Sequence, residues 1–453
     1  MLLGVPRLKR ASIVVAGVLL TSLVFVSCGG YNNPSSSSSS SSGSTSGLKF
    51  RVLVSQDVST MVGTTRLSAG LILIDANQDR QAKLISASSF SPGMMVLSNN
   101  RQLTLAVSSS GTSVEVVNNT TEAVTGSITL SAPGSTESVV ISVDASTGYA
   151  AVPAAPIPLG APGGIVVLNL TSGGTSGTVP IPGAHYVVQN GDGSKLLVFS
   201  DNSDSVTIVS PFNILRGQQN STCLTSPPPA AVCTVIPGFD RPVFGFFSSD
   251  NTQAWILNCG PECGGQQASI QVLDMANGTV GPPTLIPGGA TVGFIKNQTL
   301  YAAGTAAVGS GNETCASATP AICGRLTVVD LPSMTVTGTT AGIEIPDGYH
   351  THMDMSGNGQ LFVGSRNCTN IVPVKTGDPQ RGCLAIFDTT NGNVVFPPDN
   401  GDVTGLQPIT NRKVFYVVEG GELRIYDTTT DKIYRTTSID VFGHALDVKL
   451  VDF

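Results

Sequence analysis

From Lys49 onward, short apolar runs alternate with polar turns. One run recurs with Asp or Asn at its end: Leu71-Ile72-Leu73-Ile74-Asp75, Val114-Glu115-Val116-Val117-Asn118, Ile165-Val166-Val167-Leu168-Asn169, Ile270-Gln271-Val272-Leu273-Asp274, Leu326-Thr327-Val328-Val329-Asp330, Leu384-Ala385-Ile386-Phe387-Asp388 and Leu423-Arg424-Ile425-Tyr426-Asp427. A divergent copy, Val206-Thr207-Ile208-Val209-Ser210, fills the one large gap. Successive copies stand roughly 40 to 65 residues apart, the period of a repeat architecture. Runs this short, rich in Val and Ile and bounded by turn residues, read as strands.

A second strand precedes each copy: Phe50–Ser55, Leu103–Ser108, Tyr149–Pro153, Lys195–Ser200, Gln253–Asn258, Leu300–Gly304, Gln360–Gly364 and Val414–Glu419. Tight polar turns such as Ser98-Asn99-Asn100, Asn190-Gly191-Asp192-Gly193 and Ser356-Gly357-Asn358-Gly359 stand before most of these. Such turns tolerate the positive φ that short hairpins require. A further turn follows the Asp-ending strand, as in Asp388-Thr389-Thr390-Asn391-Gly392-Asn393. Each unit therefore reads as four antiparallel strands, which predicts an all-β fold, a β-propeller. Tandem sandwiches would need about 100 residues per unit, roughly twice the period seen.

Closure is also legible. The first unit opens at Phe50 without an inner strand, and Ala445–Phe453 forms one spare strand at the end of the chain. Pairing that C-terminal strand into blade one would close the ring and hide both edges. The count is then eight blades; it is seven if the Val206–Ser210 or the Leu300 region is an insertion. The repeat resembles the YVTN-type and lactonase-like propeller superfamily over about residues 49–453. The likeness rests on Val328-Val329-Asp330-Leu331-Pro332-Ser333-Met334-Thr335-Val336, Ile386-Phe387-Asp388-Thr389-Thr390-Asn391-Gly392 and Ile425-Tyr426-Asp427-Thr428-Thr429-Thr430-Asp431-Lys432. It implies that function sits at the channel mouth, on the face shared by the loops between blades and those joining second to third strands.

The first fifty residues follow another pattern. Arg7, Lys9 and Arg10 precede an apolar run from Ser12 to Val26, about fifteen residues and short for a bilayer span of roughly twenty. The run ends in Phe25-Val26-Ser27-Cys28, followed by Gly29-Gly30, and resembles a bacterial lipoprotein signal in which Cys28 is lipidated. The alternative is an ordinary secretory signal with a stray cysteine. An unbroken serine run from Ser35 to Ser42, continued to Gly47, reads as a flexible spacer. The expected organisation is a signal peptide over 1–27, a lipidated cysteine and Ser/Gly linker over 28–48, and a propeller over 49–453. The expected location is the cell envelope, lipid-anchored at the outer membrane or cell surface.

Composition narrows the class. Only 12% of residues are charged, against about 25% usually. The net charge of −7 argues against a nucleic-acid partner. Of nine cysteines, eight remain after Cys28 and fall into local pairs, Cys223–Cys233, Cys259–Cys263, Cys315–Cys323 and Cys368–Cys383. In an exported chain these read as disulfides. Three pairs map to loops after second strands on one face, and Cys223–Cys233 maps to the opposite face.

All four histidines, His185, His350, His352 and His444, fall at the starts of predicted innermost strands. Strand alternation places His350 and His352 on one face. With Asp354 and Asp447 they form a candidate set for a divalent metal. Their bland reading is as polar strand ends bonded to nearby loops. Nucleotide, c-type haem and serine-elbow motifs are absent from the sequence. Two functions follow as expectations. The first is a monomeric, membrane-tethered binding or scaffolding module for an envelope protein or glycan. The second, implied by the family resemblance, is a lactonase-like hydrolase with a metal at the channel mouth.

Overall fold

The computed structural model describes residues 27–28, 44–57, 70–86, 92–130, 134–158, 160–215, 223, 232–305, 324–368, 382–397, 401–410, 412–434, 439, 441 and 443–452. The described strands form eight antiparallel sheets arranged as the blades of a propeller. Blade one joins the C-terminal strand His444–Leu450 to Arg51–Asp57, Gly70–Asp75 and Arg80–Ser86. The inner strands of blades two to eight are Pro92–Leu97, Ser138–Ile141, Ala184–Gln189, Pro242–Phe247, Val292–Lys296, Tyr349–Met355 and Val403–Pro408. Both regions that would have reduced the count belong to blades: Ser205–Val209 is the third strand of blade four, and Thr299–Thr305 the second strand of blade six. Blade six carries two additions. Ile343–Ile345 pairs along its third strand, and Ser27–Cys28 pairs with Lys296 and Ile295 at its inner edge.

Burial explains why the strands read as continuous apolar runs. A middle strand lies between two neighbouring blades, so both its faces are covered; Gly70–Asp75 and Val414–Glu419 are buried at every position. The outer strand Ala123–Thr129 faces solvent and is buried only at Ile128. The apolar core is therefore divided. One cluster fills each of the eight blade-to-blade interfaces, from Leu53, Leu73 and Ala106 between blades one and two to Val52, Tyr416 and Leu450 between blades eight and one.

Blade one closes as expected from the sequence. Val52 pairs with Leu450, Val54 with Val448 and Asp57 with His444. Arg51 reinforces the seam: its Nη2 lies 2.7 Å from Asp452 Oδ1, its Nε donates to Oδ2 at 3.0 Å, and its Nη1 reaches Glu122 Oε1 at 3.1 Å. A forked guanidinium–carboxylate pair of this kind, mostly shielded from water, fixes geometry as well as adding energy. On the other side, Arg412 donates to Asp79 at 2.5 and 2.8 Å, and Asp79 also accepts from the Tyr416 hydroxyl.

Three disulfides are formed: Cys223–Cys233, Cys259–Cys263 and Cys368–Cys383. The Cys315–Cys323 pair lies outside the described residues. Cys259–Cys263 and Cys368–Cys383 follow second strands. Cys223–Cys233 lies between the third and outer strands of blade four, on the opposite face.

Removing residues 444–453 takes away a ladder and buries no substitute for Ala445, Val448 and Leu450. The loss, at about 1.5–3 kcal/mol for each large apolar side chain, should lower Tm by at least about 5 °C. Calorimetry and light scattering should show that fall together with self-association through the bared edge of Arg51–Asp57. A truncated monomer that melts with the intact protein would show that this strand does not close the ring.

Candidate functional site: the central channel and its mouth

Each blade runs outward from its inner strand and the chain then returns to the centre, so all inner strands point the same way along the channel. Their first residues share one mouth. Near that mouth, six of the eight inner strands carry a register shift. A bulge leaves one residue unpaired and turns the residues beyond it onto new faces.

Blade seven shows the consequence. His350 pairs with Ser365 and His352 with Gly364, leaving Thr351 unpaired. The alternation expected over Tyr349–Asp354 is broken there, between the two histidines. His350 is buried, and its Nε2 donates to Pro346 O at 3.0 Å. Burial, ahead of that bond, lowers it to about 4, so it is neutral and its Nδ1 is an acceptor with no partner among the described residues. His352 shares a 2.7 Å hydrogen bond with Thr351 Oγ1. Burial first, then Lys449 and Arg366, holds the His352 imidazole well below its usual range. Asp354, two residues on, accepts from Met355 N at 2.7 Å. Burial pushes its carboxyl up to about 7, against that bond and the pull of Lys449 and Arg101.

These residues line a cavity of about 130 Å³. Tyr186, Phe244 and Tyr349 stand towards its mouth, and Arg101, Gln407 and Lys449 towards its far end. Tyr186 meets Phe244 edge-on at 5.9 Å between ring centres. The wall thus passes from aromatic to charged over the length of one strand, roughly 15 Å.

The other candidate residues go elsewhere. His185, unpaired in the bulge of blade four, sits on the rim with Nδ1 2.7 Å from Asp201 Oδ1 and Nε2 3.6 Å from Glu137 Oε2. Its bond to Glu137, opposed by burial and supported by Asp201, raises it to about 8. His444 is exposed at the mouth, its ring over Gly421, where a Cβ would collide with Nδ1. Asp447 is buried and already committed, accepting from Met95 N at 2.8 Å and Lys449 Nζ at 3.0 Å. Of the six residues proposed for a metal, His350, His352 and Asp354 line the channel cavity, whereas His185, His444 and Asp447 do not. Among the described residues no three His, Cys, Asp or Glu side chains gather as a metal site.

Sequence reasoning missed Arg101, Lys449, Tyr186 and Phe244. Arg101 adopts φ +54° in a turn that reads only as a hairpin, and Lys449 looks like an ordinary polar position in the closing strand. It also missed Glu262, inside the loop closed by Cys259–Cys263. Glu262 Oε2 accepts from Thr305 N at 2.8 Å, and burial pushes its carboxyl up to about 8.

The rim histidine makes a pH test. His185 gains its carboxylate partners on folding, so its raised pKa adds stability in full below about 6.5, and that stability fades as pH rises through about 8. The side chain is 36% exposed, so solvent screening holds the effect to about 1 kcal/mol or less. The Tm advantage of the native protein over His185→Gln should shrink by about 1–2 °C between pH 6 and pH 9 in scanning calorimetry. A constant difference would show that the two carboxylates do not hold its proton.

No family model and no curated protein matches the sequence. Similar solved structures are numerous. Dihydro-heme d1 dehydrogenase NirN, in complex with DHE, is 11% identical with a TM-score of 0.57, over 94% of this chain and 80% of that one. The computationally designed Ika8 protein is 10% identical with a TM-score of 0.51, over 83% of this chain and 96% of that one. A putative 6-phosphogluconolactonase from Bacteroides fragilis is 15% identical with a TM-score of 0.48, over 90% and 99%. At these identities the likeness is one of fold, and the fold is an eight-bladed β-propeller.

Proposed function

We propose that the protein is an envelope-tethered binding module whose propeller recognises a glycan at the channel mouth. The observation that carries this reading is the mouth itself. Tyr349 is 45% exposed there, beside Tyr186, whose ring stacks on His185 at 5.8 Å. Aromatic faces suit the apolar faces of sugars, while Glu137, Asp201 and the hydroxyls around them supply hydrogen bonds. Two disulfides brace loops on this face, which reduces the ordering cost of binding. Formed disulfides also favour an oxidising, exported setting. The N-terminal pattern supplies the tether in this reading: Cys28 is lipidated and the Ser/Gly tract gives reach. Cleavage before Cys28 would remove Ser27, and with it half of the two-residue pairing to blade six.

Two variants test the two halves. Cys28→Ser should move the protein from the detergent phase to the aqueous phase with its melting temperature unchanged. Tyr349→Ser should reduce co-sedimentation with protein-free envelope polysaccharide by about tenfold, the scale of one lost aromatic anchor. Binding that survives in Tyr349→Ser, or that disappears when the envelope is treated with protease, would overturn the glycan reading; the latter result would point to a protein partner.

A further inference from the structure

We propose that the channel beneath the mouth, which shares Tyr186 and Tyr349 with it, is a site for a small organic carboxylate with a ring-sized apolar body. The first ground is charge. The chain carries −7 overall, yet the charged residues that line the cavity are Arg101, Lys449 and Asp354. His350 and His352 are neutral there. Two cations against one carboxyl leave the lining itself positive on balance within an acidic protein, with Asp447 paired to Lys449 behind it, and low-dielectric walls focus such a field on what enters.

The second ground is shape. A cavity of about 130 Å³ holds on the order of ten non-hydrogen atoms or waters. Its two ends differ in kind. Tyr186, Phe244 and Tyr349 offer aromatic surface near the mouth, while Lys449 and Arg101 lie towards the far end. Both cations are fixed in place: Arg101 Nη1 donates to Leu450 O at 2.9 Å and Asp452 O at 2.8 Å, and Lys449 Nζ sits 3.0 Å from Asp447 Oδ1. A positioned cation loses little side-chain freedom on meeting an anion. An amphipathic acid lying along the channel satisfies both ends at once, ring to the aromatic wall and carboxylate to the cations.

Asp354 sets the conditions. It is faced by Lys449 from blade one, Arg101 from blade two and His352 on its own strand, with Asp447 behind Lys449. Below about pH 7 its carboxyl is protonated and can donate to an incoming carboxylate; above it, the new negative charge opposes the anion.

Calorimetric titration of the purified full-length protein with benzoate, against neutral benzamide and cationic benzylamine, tests the assignment. Benzoate should bind at least tenfold more tightly than either isostere at pH 6, and weaken by about threefold or more at pH 8. Lys449→Met should cost about tenfold in benzoate affinity. Because Lys449 also holds Asp447, Asp354→Asn is the second arm: it should keep benzoate binding and lose the pH dependence. Equal binding of benzoate and benzamide, no benzoate binding at millimolar concentration, or unchanged affinity in Lys449→Met would overturn the proposal. None of these readouts passes through envelope binding, so the channel and the docking face stand or fall separately.

Discussion

The ladder between His444–Leu450 and Arg51–Asp57 is the constraint on which the rest of the molecule depends. Blade one has no inner strand until the end of the chain returns to it, about four hundred residues later in sequence, an ordering whose closure entropy grows only slowly with length. Once made, the ladder removes the two open edges that a broken ring would expose. It also places Ala445, Val448 and Leu450 in the apolar cluster shared with blade eight. Arg51, bonded at once to Asp452 and Glu122, ties the closing strand to blade two, and Arg412 with Asp79 ties blade eight to blade one. Ion pairs therefore reinforce the seam towards both neighbouring blades.

That same strand furnishes the channel. Asp447 reaches across to Met95 N on the inner strand of blade two, and Lys449 enters the lining. Arg101, from the turn of blade two, donates to the carbonyls of Leu450 and Asp452. Ring closure and the charge of the cavity are thus one arrangement. A change that loosened the seam would displace both cations from the channel.

Dividing the core among eight interfaces has a second consequence. Each blade is held by both neighbours, so loops on the mouth face can lengthen without disturbing packing. The staples Cys259–Cys263 and Cys368–Cys383 lie in such loops. The inner strands are different: except in blade six, where Ser27–Cys28 pairs along the edge, they have one neighbour in their own sheet, and their free edge faces the channel. Bulges are tolerated there, and through them backbone geometry decides which side chains point inward.

The repeat itself was legible because middle strands buried on both faces demand unbroken apolar runs, and hairpins demand Asn, Asp and Gly at their turns. Those local requirements fixed the strand positions and the spare final strand of Ala445–Phe453 and favoured eight units while leaving seven open, and three local cysteine pairs followed the loops they close. The site was legible only in outline. Alternation placed His350 and His352 on one strand face, and a single unpaired Thr351 broke that alternation between them; the hydrogen-bond register that creates this bulge has no signature in side-chain pattern. Arg101 and Lys449 come from a turn and a terminal strand more than three hundred residues apart, and they share a channel only because the ring closes. Local backbone and burial preferences are written along the chain, whereas convergence of charges from separate blades, and the burial that moves Asp354 and His352 away from their ordinary titration, exist only once the blades surround a common axis.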